Sequence, residues 1–137
     1  MRKIILVLAL SVFGQFAAAQ DVIAPDKGIE GVIQNQIDAF LLDDFEQAFQ
    51  YAAPSIQQLF GTPDNFGTMV RNGYPMVWRP ENVDFADLRN IQGNLWQKVI
   101  VTDQDGQVFA LYYKMVKVDG FWRIAAVQLL PMPDLSA

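Results

Sequence analysis

Neither cysteine nor histidine occurs anywhere in the 137 residues. The first absence excludes disulfides, so the fold must be held by its core alone. The second removes the commonest general base and the commonest metal ligand. Together they leave zinc and other transition metals without their usual ligands, and no metal or cofactor is expected. Asp103-Gln104-Asp105-Gly106 has the oxygen-rich look of a calcium loop but lacks the closing glutamate of a twelve-residue site, and it reads as a hairpin turn. Serine is confined to Ser11, Ser55 and Ser136. The first lies in an N-terminal apolar stretch, the second is best placed to cap a helix, and the third is in the C-terminal tail, so no serine nucleophile stands out. There is no glycine-rich phosphate loop. No apolar run reaches the roughly 20 residues that span a bilayer as a helix.

Basic residues are scarce too. Ten Lys and Arg face fifteen Asp and Glu, a net charge of −5. Two of the ten, Arg2 and Lys3, precede the apolar run Ile4–Phe13 and the small-residue segment Ala17-Ala18-Ala19. That order is a secretory signal peptide over residues 1–19, leaving a single domain over 20–137 in the periplasm or outside the cell, with no membrane anchor once the leader is removed. The 118 residues that remain hold eight cations against fifteen anions, a net of −7. A chain this acidic is not expected to bind nucleic acid, which calls for a basic patch. About 118 residues suffice for one self-sufficient core, since roughly two-thirds of the unfolded surface can be buried at this size.

What the chain does have in quantity is apolar residues, 52% of the total. They are most regularly arranged over Gln97–Leu130, where runs rich in Val, Ile, Tyr and Phe are separated by Asp105-Gly106 and Asp119-Gly120. This predicts three antiparallel strands joined by tight turns, because a two-residue type I′ turn needs positive φ at both centres. If Asp119-Gly120 is such a turn, Val118 faces Phe121 and alternation divides the last two strands into two faces. One carries Phe109, Leu111, Tyr113, Met115, Trp122, Ile124, Ala126 and Leu130 and should be core. The other carries Ala110, Tyr112, Lys114, Val116, Arg123, Ala125, Val127 and Leu129, apolar enough to be covered by a partner, for which a second copy of the chain is a candidate. DQDGQ also allows a longer loop, and a one-residue slip there would exchange faces.

Upstream the period becomes helical. Asp26 caps a helix whose stripe is Ile29, Val32, Ile33, Ile37, Phe40 and Leu41. Asp43-Asp44 stops it, Asp44 with Gln47 starts a second short helix ended by Pro54, and Ser55 with Gln58 starts a third that closes at Gly61. Thr62-Pro63 opens a fourth, through Phe66, Met69 and Val70 to Asn72-Gly73. Residues 74–80 read as an extended crossing, 83–89 as a first strand, 90–94 as a turn, and 20–25 as a tail. Pro131-Met132-Pro133 reads as a terminator after the last strand. Helices followed by an antiparallel sheet make an α+β domain.

Several of these features resemble a known family. Ile37-Asp38-Ala39-Phe40, Asp43-Asp44, Ala48-Phe49, Ala53-Pro54-Ser55, Phe60, Phe66 with Met69-Val70, Gly73-Tyr74-Pro75 and Asp119-Gly120 with Trp122-Arg123-Ile124 are similar to the bacterial domain-of-unknown-function 4864 family. Their order also resembles the nuclear-transport-factor-2-like (cystatin-like) superfamily. That resemblance implies a cone of helices on a curved sheet with space at its wide end. Its members include isomerases, dehydratases, epoxide hydrolases, ligand binders and assembly domains, so fold alone assigns no activity.

Three readings of function follow. The first is a non-catalytic exported domain that holds a small apolar or amphipathic ligand, with Tyr51, Phe66, Tyr74, Trp78, Trp96 and Tyr113 as its candidate lining. The second is an isomerase or dehydratase that pairs a carboxylate, from Asp38, Asp43 or Asp44, with a tyrosine, as ketosteroid isomerase does. No spacing singles out one pair, so no catalytic residue is named. The third is an interaction module of an envelope complex, whose sheet face forms a homodimer or docks to the larger assembly.

Overall fold

The computed structural model describes residues 20–131. The signal peptide read over residues 1–19, and Met132-Pro133 of the terminator, lie outside these described residues.

The order of elements is β1 (Gln20–Ile23), α1 (Lys27–Leu41), α2 (Phe45–Gln50), α3 (Pro54–Phe60), α4 (Pro63–Gly73), α5 (Pro75–Trp78), β2 (Pro80–Ile91), β3 (Asn94–Asp103), β4 (Val108–Val118) and β5 (Phe121–Leu130). The strands form one antiparallel sheet in chain order, β1-β2-β3-β4-β5. The architecture is α+β, as expected. Residues 20–23 are a strand on β2 rather than a tail, with Val22 opposite Arg89 and Ile23 opposite Leu88. Residues 75–78 make a helical turn rather than an extended crossing, because Pro75 pre-sets the first helical φ and Tyr74 accepts from the Val77 and Trp78 amides.

The helix boundaries follow local chemistry. Asp26 Oδ1 accepts from the Gly28 and Ile29 amides at 2.8 and 3.1 Å, and Thr62 Oγ1 accepts from Asn65 at 3.2 Å, each satisfying amides that a helix start leaves free. Helix α3 begins one residue before the Ser55 cap read from sequence: Pro54 is its first residue and Ala53 its uncharged cap. Proline loses nothing there, since its missing N–H would have been unpaired. In α1, Ile29, Ile33, Ile37 and Phe40 are buried, whereas Leu41 is exposed. Burying four such side chains contributes about 1.5–3 kcal/mol each.

The turns divide by type. Asp119 and Gly120 have φ of 52° and 83°, and Gln92 and Gly93 have 53° and 86°, so both are two-residue turns with positive φ at each centre. The loop after β3 is longer. The Asp103 amide donates to the Gln107 carbonyl, its carbonyl accepts from Gly106, and its carboxylate gathers the Asp105 and Gln107 amides, with Gly106 alone at positive φ.

Of the three register shifts among the described residues, at Pro80/Asn82, Phe85/Leu88 and Lys114/Met115, the last two bear on the core. In β2 the register slips between Phe85 and Leu88. The buried Gln97 Nε2 reaches across from β3 to the Ala86 carbonyl at 2.9 Å, supplying a donor where the ladder is broken. In β5 the register slips because Lys114 pairs with Ala126 while Met115 pairs with Ile124, leaving Ala125 unpaired. This corrects the expected faces. Trp122 and Ile124 point to the core as predicted, but beyond the bulge Val127 joins Tyr113 on the core side, and Leu129 pairs with Leu111 yet stays exposed at the sheet edge. Ala126 and Leu130 move to the other face, opposite Lys114 and Ala110. One extra residue inverts the alternation for the rest of the strand.

Two helical glycines should respond in opposite ways to alanine. A Cβ on Gly67 would run into the Phe45 ring, whereas one on Gly31 meets nothing within 4 Å. Gly67→Ala is expected to destabilise by about 1–3 kcal/mol through overpacking, and Gly31→Ala to stabilise by up to about 1 kcal/mol through helix propensity. Thermal melts of the two variants check the signs.

Candidate functional site

Between the helices and the core face of the sheet lies a cavity of about 300 Å³. Gln36 and Phe40 of α1 form its back, and Ile56, Leu59 and Phe60 of α3 one wall. Phe66, Met69 and Val70 of α4, with Tyr74 and Val77, close the top. The sheet contributes Tyr113, Ile124 and the three consecutive residues Ala125, Ala126 and Val127. A regular strand presents alternate side chains to one side; the extra residue taken up at Ala125 is what brings Val127 to the same side as Ile124.

The mouth lies by α3. That helix has no fully buried residue, and Leu59 is 72% exposed although it borders the cavity. Just before it, residues 51–53 run beside β5: Ile124 donates to the Tyr51 carbonyl at 2.9 Å and the Ala53 amide donates to the Ile124 carbonyl at 2.8 Å. The Tyr74 hydroxyl donates to the Val127 carbonyl at 3.3 Å. Both contacts dress a sheet edge that would otherwise be bare.

Of the six candidate lining residues, Phe66, Tyr74 and Tyr113 meet at this cavity. The other three do not line it. Tyr51 is half-buried on the outside of α2, where its hydroxyl accepts from Gln47 Nε2 at 3.0 Å. Trp96 faces the opposite side of the sheet, edge-on to Tyr112 at 6.2 Å between centroids. Trp78 stacks under the Arg79 guanidinium at 3.9 Å and donates its indole N–H to Asp43. Sequence reading missed Gln36, whose amide donates to the Ala48 carbonyl at 3.2 Å while its side chain borders the cavity. A signal was there: Gln36 is the polar interruption in the apolar stripe of α1.

The three candidate acids are all occupied elsewhere. Asp38 accepts from Gln34 on the exposed side of α1. Asp44 caps α2 through the Gln47 amide. Asp43 sits at the end of α1 with φ of 54°, the left-handed residue that ends a helix. It accepts from Trp78 Nε1 at 2.9 Å and from Arg79 Nη2 at 2.9 and 3.0 Å. Those donors, Trp78 first and Arg79 next, hold its carboxyl below the ordinary aspartate value of 3.8.

Tyr113 is the unusual group. It is fully buried, and its hydroxyl is shut from solvent with no hydrogen-bond partner. Burial, with a smaller push from Tyr74, raises its pKa well above the ordinary 10.0. It is therefore a neutral O–H at every physiological pH, a donor rather than a base. Among the described residues no cluster of carboxylates could hold a metal ion.

The second face of the sheet differs in character. Trp96, Ile100, Tyr112 and Val116 lie there half-buried with Arg89, Lys98, Lys114 and Arg123, and Ala110 is the one buried residue among the pairs that share it. All the helices pack on the other side.

The fold and cavity thus define a small α+β domain with an uncharged, mostly apolar chamber. The chain belongs to the family described as Domain of unknown function (DUF4864), which it matches over residues 23–137. No curated protein and no solved structure matches it.

The Asp43 cluster makes a pH prediction. A carboxyl whose folded pKa is depressed adds stability that is complete above its unfolded value, 3.8, and disappears as pH falls through the lower folded value. Wild type and Asp43→Asn should differ most above pH 4 and converge in stronger acid. Denaturant titrations across that range check it.

Proposed function

We propose that this domain is an exported, non-catalytic binder of a small apolar or amphipathic molecule, held between the helices and the sheet of a cone like that of the nuclear-transport-factor-2-like superfamily. The signal-peptide pattern of residues 1–19 supports a periplasmic or secreted location. The observation that carries the binding reading is the cavity itself. It has about 300 Å³ of space, and its lining residues are apolar apart from Gln36, Tyr74 and Tyr113. That lies at the small end of the range for small-molecule sites. The isomerase or dehydratase reading needs a carboxylate base within hydrogen-bond reach of the substrate. Asp38, Asp43 and Asp44 are not among the lining residues, which weighs for binding over proton transfer.

The test is binding of an uncharged fluorescent apolar probe, N-phenyl-1-naphthylamine. Val127→Trp, which fills the chamber from β5, should weaken binding about tenfold or more. Val116→Trp on the second face should leave it unchanged. Equal binding by all three proteins would place the probe elsewhere and count against the cavity.

The uncovered second face favours one further reading, a homodimer through Trp96, Ile100, Tyr112 and Val116. Such a dimer also brings Lys98, Lys114 and Arg123 of two copies together, and salt screens like charges. Sedimentation should therefore show it tightening as ionic strength rises. A dimer that loosens with salt uses another surface.

A further inference from the structure

Building on the cavity-binding reading above, we infer that the ligand is an uncharged molecule, apolar over most of its length, that carries a hydroxyl group and donates it to Oε1 of Gln36.

Gln36 stands three residues after Ile33 and four before Phe40, so helical spacing places it on the inward side of α1. It is 3% exposed and borders the cavity. A side-chain amide brings two N–H donors and an oxygen with two lone pairs. One N–H is spent on the Ala48 carbonyl at 3.2 Å. That bond fixes how the amide is turned, because the reverse orientation would set oxygen against oxygen. Oε1 accepts from no donor among the described residues. It is also not sealed in. Gln97 Oε1 and Tyr113 Oη lie unpaired and out of solvent's reach, whereas Gln36 Oε1 keeps surface open on the side of the cavity. Methionine would fill this place without burying an amide whose bonds are half made.

The polar side chains of the lining differ in what they can give an occupant. Tyr113 Oη has no open surface, and Tyr74 spends its hydrogen on the Val127 carbonyl. Gln36 has both an acceptor and a donor to spare. A hydroxyl matches that pair, since it donates to Oε1 and accepts the remaining N–H. A ketone or an ether brings no hydrogen and would leave Oε1 unpaired. An amine is charged at neutral pH, and no aspartate or glutamate lines the cavity to meet it. A carboxamide adds a further N–H for which the apolar walls hold no acceptor.

The experiment uses three uncharged probes of equal chain length, heptane, 1-hexanol and methyl pentyl ether, each displacing N-phenyl-1-naphthylamine from wild type and from Gln36→Met. Comparing each probe across the same two proteins cancels its own hydration and any loss of stability common to the variant. The expected result is that Gln36→Met weakens 1-hexanol about three- to tenfold, the range of one neutral hydrogen bond, and leaves heptane and the ether unchanged. In wild type, where no variant has to fold, 1-hexanol should move the Gln36 side-chain NH2 resonances further than heptane does. If alcohol and ether lose affinity alike, the contact is the spare N–H and the hydroxyl assignment is overturned. If the alcohol responds as heptane does, or displaces the dye without moving those resonances more than heptane, Gln36 does not read the ligand, while the cavity reading stands. If no probe displaces the dye from either protein, the cavity reading itself falls.

Discussion

A single unpaired residue, Ala125, governs how the rest of this structure fits together. Strand β5 closes the sheet, and everything the helices pack against at that side depends on which way its side chains point. By taking up one extra residue opposite Lys114 and Met115, β5 turns Val127 to the side that Ile124 faces, where both border the cavity. The same region holds the chain on its outer edge, with Ile124 bonded to residues 51–53 and the Val127 carbonyl bonded to Tyr74. Bulges bend and twist a strand at the places where a regular ladder would be too flat. Here the bend opens space for small side chains under α3.

The helical layer is anchored by a second device at the end of α1. Asp43 closes α1 in a left-handed conformation that an aspartate adopts less readily than glycine. Its carboxylate gathers Trp78 and Arg79, and Arg79 also donates to the Phe40 carbonyl at the helix end, which accepts from the Asp43 amide as well. The end of α1, the turn α5 and the start of β2 are thereby tied together. Tyr74 and Val77, which line the cavity, sit on the segment so held. The acidic pair reads in sequence as a helix stop and start, and that is what it is: Asp43 ends α1 and Asp44 caps α2.

Three buried polar side chains mark where the core departs from pure packing. Gln36 serves the Ala48 carbonyl, and Gln97 serves the carbonyls exposed by the β2 bulge. Both resolve backbone groups that the fold would otherwise strand. Tyr113 resolves nothing within the chain.

Local chemistry made much of this legible from the amino-acid order. Asp26 and Thr62 as caps, the apolar stripe of α1, the Asp119-Gly120 turn and the α+β arrangement depend on neighbours a few residues away, so residue type and spacing determine them. Phe66, Tyr74 and Tyr113 could be placed at a cavity because aromatic residues near the helix–sheet seam have few other places to go. Tyr51, Trp78 and Trp96 could not be separated from them, since the same rings serve equally on a helix exterior, under an arginine or on the far side of a sheet. The bulge at Ala125 left no trace in the alternation of AAVQLL, where either register offers apolar residues to the core. Which register is adopted depends on partners more than fifty residues away, Tyr51–Ala53 and Tyr74, which bond β5 only once the helices have folded over it. Residue order determined the elements and their ends; the tertiary contacts alone decided which side of β5 became the wall of a chamber.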